Sequence, residues 1–262
     1  MNTALITGAT SGIGAAFARH LGQQGHDLLL VARNKARLEE SATDLRARFG
    51  VDVSTIAADL TDRDDCETVE KAAADVDLLV NNAGLGLGKG FTDNDVADEE
   101  YLLNLNIRAV MRLTHAALTP MRQRGHGGII NVSSVAGFAP VMPGSTYNAS
   151  KAWVTNFSES MAPLARSGGV NLMALCPGFV RTEFHDRAAI EMADMPRWML
   201  LDADFVVESA MRDFLRGRVV SVPSVLYKAI SRVIHHVPNG LLSSISERAE
   251  VISRRGKTED QR

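Results

Sequence analysis

The chain has 262 residues, of which 45% are hydrophobic and 23% are charged, and its formal net charge at pH 7 is -3. This composition indicates a globular protein with a sizeable core in one or two domains, and it excludes general disorder. The mixed charge lacks the clustered basic residues of nucleic-acid-binding proteins, and the spacing of Cys66 and Cys176 excludes a disulfide framework, a zinc site and a redox CxxC pair.

The N-terminal sequence MNTALITGAT has no basic stretch followed by a long apolar core, so we predict no secretory signal. No window approaches the roughly 18 consecutive apolar residues that a bilayer-spanning helix needs. Together with the two unpaired cysteines, these features lead us to expect a cytoplasmic protein.

Short apolar runs alternate along the chain with segments of helical period. The predicted strands are 4–7, 27–32, 54–59, 76–84, 127–134, 170–178 and 218–223, and the predicted helices are 12–24, 34–48, 62–74, 99–124, 147–167 and 203–216. Strands that are apolar on both faces and separated by helices predict a doubly wound, Rossmann-type α/β fold with a parallel sheet of about seven strands and helices on both faces. No linker divides the pattern, so we predict a single domain over 1–252.

The motif TGATSGIG begins at Thr7, directly after the first predicted strand, and opens the first predicted helix. Gly8 permits a tight turn, Gly12 lets the backbone approach a pyrophosphate, and Gly14 permits close helix packing. The helix N-terminus supplies N–H donors and a positive dipole end. We therefore predict a dinucleotide phosphate site, with a glycine-bearing helix cap as the structural alternative.

The second predicted strand ends in VARN, where a carboxylate would accept hydrogen bonds from a ribose hydroxyl of NAD. Arg33 stands there instead, and a guanidinium suits a 2′-phosphate. We therefore predict NADP(H) as the preferred cofactor and NAD(H) as the alternative, although Arg33 could also be an ordinary exposed arginine. Arg37 could lie nearby, and Ser11 gives the glycine loop no further basic contact. Asp59 and Leu60, after the third strand, are expected at the adenine edge.

The motif NNAG follows the fourth predicted strand, with small residues where the chain passes close to the predicted cofactor. An asparagine at such a place either binds the ligand or satisfies backbone groups of its own loop. Both roles are open for Asn82.

The motif YNASK places Tyr147 and Lys151 four residues apart, on one face of a predicted helix. A nearby ammonium, together with the positive charge of an oxidised nicotinamide, should lower the pKa of the Tyr147 phenol and make it a usable general acid or base. Ser134, at the end of the fifth strand, could donate a hydrogen bond to a substrate carbonyl oxygen. Asn106 is a polar residue within a predicted helix, where burial requires hydrogen-bond partners. Each has an ordinary structural role when taken alone.

These motifs together resemble the short-chain dehydrogenase/reductase family over residues 3 to 182, and the sequence is similar to its 3-ketoacyl and hydroxysteroid reductases. The resemblance implies that Tyr147 transfers the substrate proton, Ser134 positions the carbonyl, and Lys151 tunes Tyr147 and binds the nicotinamide ribose. It also implies that Asn106 supports a proton relay to Lys151 through water. The implied cofactor-binding residues are Gly8, Thr10, Ser11, Gly12, Ile13, Gly14, Arg33, Asp59, Leu60, Asn82, Ala83, Gly84, Tyr147, Lys151, Pro177, Gly178, Val180 and Thr182, and no metal site is predicted.

The segment 183–202 is expected to form a lid over the substrate. It carries the apolar residues Phe184, Ile190, Met192, Met195, Trp198, Met199 and Leu200, which would either contact a lipophilic ketone or pack among themselves. We predict an NADP(H)-dependent oxidoreductase that reduces such a ketone, for example a 3-oxoacyl or steroid-like carbonyl, to a secondary alcohol. The alternatives are an NAD-dependent secondary-alcohol dehydrogenase and a dinucleotide-binding sensor without catalysis.

The C-terminal part departs from the usual family ending and predicts a helical extension over 224–252, followed by a frayed tail over 253–262. Val225, Leu226, Ile230, Val233 and Ile234 form an apolar stripe on this helix. The stripe could pack on its own domain, form an oligomer contact, or lie on a membrane surface. The family resemblance implies a homodimer or a homotetramer.

Overall fold

The computed structural model describes residues 2–138, 144–184 and 196–236, without the side chains of 197 and 233–236. The strands are β1 (Thr3–Thr7), β2 (Asp27–Ala32), β3 (Val53–Ala57), β4 (Leu78–Asn81), β5 (Gly127–Val132), β6 (Val170–Leu175) and β7 (Val220–Ser221). All seven run parallel in one sheet of order β3-β2-β1-β4-β5-β6-β7. The predicted Rossmann-type architecture is confirmed.

The helices follow the predicted order with one correction. They are α1 (Gly12–Gln23), α2 (Lys35–Phe49), α3 (Arg63–Ala73), α4 (Val96–Leu103), α5 (Val110–Arg124), α6 (Tyr147–Ser167), α7 (Ala203–Leu215) and α8 (Val225–His236). The single helix predicted over 99–124 is wrong, because a π-helical turn at Asn104–Ala109 separates α4 from α5. The spacing of apolar residues in the sequence does not reveal such a turn, because the extra residue of a π-helical turn changes the helical period only locally.

The sheet is apolar on both faces, as the sequence pattern predicts. Within β1, Ala4 and Ile6 belong to one core cluster, and Leu5 belongs to the other. Residues of α1, α2 and α7 complete the first cluster, and residues of α3, α5 and α6 complete the second. This arrangement buries both faces of the parallel sheet and leaves the carboxyl ends of the strands at one edge.

In the described part of the chain, α2, α3 and α7 begin with a side-chain cap, whereas α1, α4, α5 and α6 do not. The side chains of Asn34, Asp62 and Asp202 accept hydrogen bonds from backbone N–H groups in the first turns of α2, α3 and α7. Ser11, the N-cap residue of α1, makes no side-chain capping hydrogen bond. The first N–H groups of a helix have no intrahelical acceptor, so the N-terminus of α1 is suited to binding an anion.

Helix α8 packs on its own domain through Tyr227 and Ser231, which are only 2% and 8% exposed. Of the predicted stripe, Val225 is 83% exposed, and Leu226 and Ile230 are partly buried. Periodicity identified an amphipathic helix here, but the contacts that bury Tyr227 come from distant loops. The remainder of the predicted extension and the tail, 237–262, lie outside the described residues.

Candidate active site

The predicted site residues lie at the carboxyl edge of the sheet. Gly8 follows β1, Asn82 follows β4, Ser134 follows β5 and Pro177 follows β6. The chain extends the sheet from β1 in two directions: β2 and β3 lie on one side of β1, and β4 to β7 lie on the other. The switch point is therefore between β1 and β4. In open α/β sheets, ligands bind in the crevice at this switch point.

The glycines after β1 are required by the local geometry. Gly8 and Gly12 have φ angles of 66° and 54°, which L side chains rarely adopt. A Cβ atom at Gly14 would lie 2.2 Å from the carbonyl oxygen of Gly8, so glycine here lets α1 begin directly against the loop. A Cβ atom at Gly12 would lie 3.0 Å from the Thr182 side chain. The loops that follow β1 and β6 therefore meet across the crevice.

Asn82 supports the glycine loop. Its side-chain Nδ2 donates to the carbonyl oxygens of Thr7 and Gly8 at 2.9 and 3.2 Å. The Thr7 hydroxyl in turn accepts from the backbone N–H groups of Asn82 and Ala83, each at 2.9 Å. Of the two roles left open for the Asn82 side chain, these contacts favour the structural one. The role of Thr7 was missed, although Thr7 is the first residue of the glycine motif.

Arg33 lies at the exposed end of β2 beside a hydrogen-bonded pair. Its guanidinium donates to the Tyr101 hydroxyl at 2.8 Å, and that hydroxyl donates to Asp59 at 2.9 Å. Burial raises the pKa of Asp59, but hydrogen bonds from Thr61 and Tyr101 and the charge of Arg33 outweigh it and hold the pKa below its ordinary value. Leu60 is buried in the core, so any contact with a nucleotide would come from its backbone.

Arg37 lies close to the glycine loop. Its guanidinium donates to the Thr10 carbonyl oxygen at 3.3 Å and forms an ion pair with Glu183 at 2.9 Å. Two guanidinium groups, Arg33 and Arg37, thus flank the carboxyl end of β2. With the uncapped N-terminus of α1 and the glycine loop, these residues fit a dinucleotide that carries an extra phosphate.

Ser134, Tyr147 and Lys151 come together at the end of β5. Tyr147 is the first residue of α6, and the Ser134 side chain lies close enough to its phenol to lower the pKa of that phenol. The Lys151 Nζ lies 5.7 Å from the centre of the Tyr147 ring and donates to the Val132 carbonyl oxygen at 3.0 Å. Ser133, whose role was missed, ties α6 to β5 because its hydroxyl donates to the Lys151 carbonyl oxygen at 2.7 Å.

Burial governs the pKa values of both ionisable groups. It raises the pKa of Tyr147 to about 12, against a lowering by the Ser134 hydrogen bond. It lowers the pKa of Lys151 to about 8. The predicted lowering combines the charge of Lys151 with that of an oxidised nicotinamide and stays a prediction, and burial of the phenol acts against it. A protonated phenol beside a hydroxyl donor can act as a general acid.

Asn106 lies in the π-helical turn and is 1% exposed. Its side chain exchanges two hydrogen bonds with the backbone of Leu85, at 2.9 and 3.0 Å, and donates to the Ser150 hydroxyl at 3.1 Å. A Cβ atom at Gly84 would lie 3.1 Å from the Asn106 Oδ1 and 3.4 Å from the Lys151 Nζ. Asn106 thus joins the loop after β4 to α6 close to Lys151, and single π turns are frequent at functional sites.

A buried glutamate fixes the start of α6, the helix that carries Tyr147 and Lys151. Glu99 of α4 is 3% exposed and accepts hydrogen bonds from the Thr146 N–H at 2.9 Å, the Thr146 hydroxyl at 2.6 Å and the Asn94 side chain at 2.7 Å. Thr146 immediately precedes Tyr147. The sequence analysis did not single out Glu99. The one sequence feature that could have indicated it is a carboxylate that stands three residues before the apolar Leu102 in the predicted helix 99–124.

Replacing Glu99 with glutamine should lower the free energy of unfolding by about 1 to 3 kcal/mol at pH 7, because charge-assisted hydrogen bonds are lost. Burial raises the pKa of Glu99, but the bonds from Thr146 and Asn94 outweigh it and lower the pKa overall. The stabilising contribution of Glu99 is therefore complete when the pH lies above the ordinary glutamate pKa of about 4.3. It is lost as the pH falls through the lowered pKa that Glu99 has in the folded protein. Urea unfolding between pH 3 and pH 7 measures this difference.

The matched control for this change is Glu100→Gln, which alters an exposed neighbour on the same helix. The control should unfold like the wild type at every pH. A Glu99→Gln deficit that stays constant down to pH 3 would contradict the assignment, because the wild-type carboxylate loses its charge on acidification.

The segment after β6 approaches Tyr147. Val180 is buried and pairs with Leu201, and the rings of Phe184 and Tyr147 lie 5.8 Å apart. Trp198 is 68% exposed. The predicted lid residues Ile190, Met192 and Met195 lie outside the described residues.

Residues 2–138, 144–184 and 196–236 contain neither a metal-binding cluster nor a membrane-spanning helix. No group of three or more His, Cys, Asp or Glu side chains in that part of the chain is placed to hold a metal ion. No helix found there is long and apolar enough to cross a bilayer.

The fold and these side chains define a class of protein. A glycine loop with an uncapped helix N-terminus lies beside a serine, a tyrosine and a lysine at the switch point of a doubly wound sheet. This combination suits hydride transfer between a nicotinamide dinucleotide and a carbonyl or alcohol, with the tyrosine handling the proton.

Comparison with known proteins agrees. The model of the family described as short chain dehydrogenase matches residues 2–192. A solved short-chain dehydrogenase from Sphingobium yanoikuyae in complex with NADPH is 35% identical, with a TM-score of 0.83 over 100% of this chain and 96% of the other. The bulky-bulky ketone specific alcohol dehydrogenase from Comamonas testosteroni is 31% identical, with a TM-score of 0.78 over 97% of this chain and 94% of the other.

A sequence relative supports the same placement. The very-long-chain 3-oxoacyl-CoA reductase of Anas platyrhynchos is 33% identical over 187 residues, which are 69% of this chain and 60% of the relative. The chain therefore belongs to the short-chain dehydrogenase/reductase family of oxidoreductases.

Proposed function

We propose that the protein is an NADP(H)-dependent reductase that converts a bulky, lipophilic ketone into a secondary alcohol. The observation that carries the proposal is the partly buried Tyr147 phenol, which interacts with the Ser134 side chain and lies one helical turn from Lys151. A phenol with a pKa of about 12 is protonated at neutral pH. It can therefore give its proton to the alkoxide that hydride addition creates.

In this proposal the bound cofactor supplies a hydride to the carbonyl carbon. Ser134 donates a hydrogen bond to the carbonyl oxygen and stabilises the developing negative charge. Tyr147 transfers its proton to that oxygen, and the nearby Lys151 ammonium stabilises the phenolate left behind. Asn106 holds the loop after β4 against α6 beside Lys151, from where water can return a proton.

The cofactor is proposed to extend along the carboxyl edge from β2 to β6. Its pyrophosphate would lie at the loop of Gly8 to Gly14 and the N-terminus of α1. Its nicotinamide would lie between Tyr147 and the loop after β6. Arg33 and Arg37 would bind the 2′-phosphate, and Glu183 would then compete with that phosphate for Arg37.

Arg33→Asp should reverse the cofactor preference. We expect kcat/KM for NADPH to fall by about 10- to 100-fold, because a charge-assisted contact worth roughly 1.5 to 3 kcal/mol is replaced by repulsion. The value for NADH should be retained or rise, since the new carboxylate can accept from the ribose hydroxyl. Steady-state kinetics with both cofactors measure the change.

Lys35→Asp is the matched control, because it makes the same charge change at an exposed position two residues away. It should leave the NADPH to NADH ratio close to that of the wild type. Unchanged kinetics of Arg33→Asp with both cofactors would reject the assignment of Arg33 and would favour the alternative of an NAD-dependent secondary-alcohol dehydrogenase.

The described part of the lid supports a lipophilic substrate. Phe184 lies beside the Tyr147 ring, and Trp198 of the same segment is a large apolar side chain that is 68% exposed. Exposed apolar side chains near a site favour contact with an apolar ligand. Two of the similar proteins bear names that specify bulky ketones and very-long-chain 3-oxoacyl thioesters, so a 3-oxoacyl or steroid-like ketone is the proposed substrate class.

The direct test of this function is NADPH consumption by the purified protein with a panel of ketones. The panel contains long-chain 3-oxoacyl thioesters, steroid ketones, bulky diaryl ketones and acetone as the small control. Reduction of a bulky member and poor reduction of acetone is the expected result. Preference for acetone would contradict the proposed substrate class, and nucleotide binding with no turnover of any ketone would favour a sensor.

A further inference from the structure

Tyr227 joins the C-terminal helix α8 to the loop after β6. Its side chain is among the largest that are fully buried, with 2% of the residue exposed. The hydroxyl donates to the Met199 carbonyl oxygen at 2.8 Å and accepts from the Phe179 N–H at 3.2 Å. One side chain thus holds the backbone of two segments that are distant in sequence.

The Tyr227 ring also sets the path of the loop. A Cβ atom at Gly178 would lie 2.2 Å from two atoms of the ring, so the loop backbone passes directly over its face. Contact this close is available only to glycine. The loop is therefore fixed by the ring at Gly178 and by the hydroxyl at Phe179.

The two segments that Tyr227 holds are bonded to each other and reach the crevice. The Leu201 N–H donates to the Phe179 carbonyl oxygen at 2.8 Å, and the Arg181 N–H donates to the Leu201 carbonyl oxygen at 2.9 Å. Directly beyond them, Thr182 packs against Gly12 of the glycine loop. A shift of the loop at Phe179 would therefore displace Thr182, which lies only three residues further along the chain.

The entry into α8 is also constrained. Ser224 has a φ angle of 127°, the only positive value at a non-glycine residue in the described chain. Its carbonyl oxygen accepts the first-turn N–H of Lys228 at 3.0 Å. Unfavourable backbone geometry persists only where surrounding contacts enforce it, and Tyr227, three residues later, supplies such contacts.

We propose that Tyr227 is a positioning residue that holds the loop from Pro177 to Thr182 in place for the nicotinamide half of the cofactor. The inference rests on the proposed function, because that function places the nicotinamide beside this loop. It goes further in making the C-terminal helix part of the cofactor site. Tyr227 acts through the loop backbone and does not itself contact the reacting atoms.

The test compares binding of a whole and a half cofactor by full-length Tyr227→Phe. Isothermal titration calorimetry with NADPH and with adenosine 2′,5′-bisphosphate, which lacks the nicotinamide half, gives the two dissociation constants. Loss of the hydroxyl leaves the Phe179 N–H without its hydrogen bond to Tyr227, so we expect the dissociation constant of NADPH to rise about tenfold. The constant for the bisphosphate should stay within about twofold, because the adenosine half binds at the other end of the crevice.

Ser231→Ala is the matched control. It removes another buried hydroxyl of α8, which donates at 2.7 Å to the Tyr227 carbonyl oxygen and not to the loop. Ser231→Ala should lower the free energy of unfolding without a selective loss of NADPH affinity. Gly178→Ala provides a second route, since its methyl group pushes the loop away from the ring, and it should show the same selective loss as Tyr227→Phe.

Equal changes for both ligands, or no change for either, in Tyr227→Phe and Gly178→Ala would overturn the inference. So would a selective loss of NADPH affinity in Ser231→Ala. Failure of the proposed function has a different signature, because wild-type protein would then consume no NADPH with any ketone or would prefer NADH. A wild type that binds NADPH no more tightly than the bisphosphate would overturn the role of Tyr227 directly.

Discussion

Tyr147→Phe should reduce kcat for ketone reduction by about 100- to 10,000-fold, the usual contribution of a positioned general acid. The ring stays and keeps its contact with Phe184, whereas the proton that would neutralise the alkoxide is removed. The dissociation constant for NADPH should change little, because the glycine loop and the N-terminus of α1 are untouched. Single-turnover measurements with saturating NADPH and a bulky ketone give the rate of the chemical step.

The nucleotide-binding measurement is the control for Tyr147→Phe. Retained NADPH binding with lost turnover assigns the loss to chemistry. A variant that keeps more than about one tenth of the wild-type rate would reject Tyr147 as the proton donor, since that loss lies below the range expected of a general acid.

Lys151→Met should produce the second large loss, of about 100-fold or more in kcat, because the phenolate formed after proton transfer loses its nearby positive charge. Burial lowers the pKa of Lys151 to about 8. Wild-type turnover should therefore fall as the pH rises above about 8, where the ammonium loses its proton. The residual activity of Lys151→Met should lack this alkaline fall, and a pH profile of kcat measures it.

Thermal melting is the control for Lys151→Met, and the sign of the pKa shift predicts its outcome. In the folded protein the pKa of Lys151 lies below its ordinary value of 10.5. Below pH 8 the buried charge of Lys151 therefore lowers the free energy of unfolding. This destabilisation is relieved as the pH rises from about 8 to 10.5. Methionine removes the cost and also the bond to Val132, so melting near the wild-type temperature is expected. Wild-type turnover that is flat up to pH 10 would contradict the role of Lys151.

Local patterns predicted the fold because the relevant forces act locally. Strands such as β1 are apolar on both faces, and only a sheet covered by helices on both sides buries such strands. The glycine motif was equally informative, since the φ angles of Gly8 and Gly12 are properties that few other residues share. The four-residue spacing of Tyr147 and Lys151 placed them on one helix face because the period of a helix is fixed.

Features that depend on tertiary contacts could not be predicted in this way. Glu99 and Tyr227 act through hydrogen bonds to Thr146 and Phe179, which lie 47 and 48 residues away in sequence. The burial that acts on the pKa of Tyr147 also depends on such contacts, which a sequence does not reveal. The same holds for the burial of Tyr227 in α8, because the segments that cover it are distant in sequence.

We propose that this chain reduces a bulky ketone with hydride from NADPH and a proton from Tyr147. The decisive experiment uses NADPH that carries deuterium at both C4 positions and measures, by mass spectrometry, transfer of deuterium to the carbonyl carbon of a long-chain 3-oxoacyl thioester or steroid ketone. The wild type should place one deuterium in the alcohol for each NADPH oxidised, and Tyr147→Phe should give almost no product. An alcohol without deuterium, or equal product from Tyr147→Phe, would contradict it.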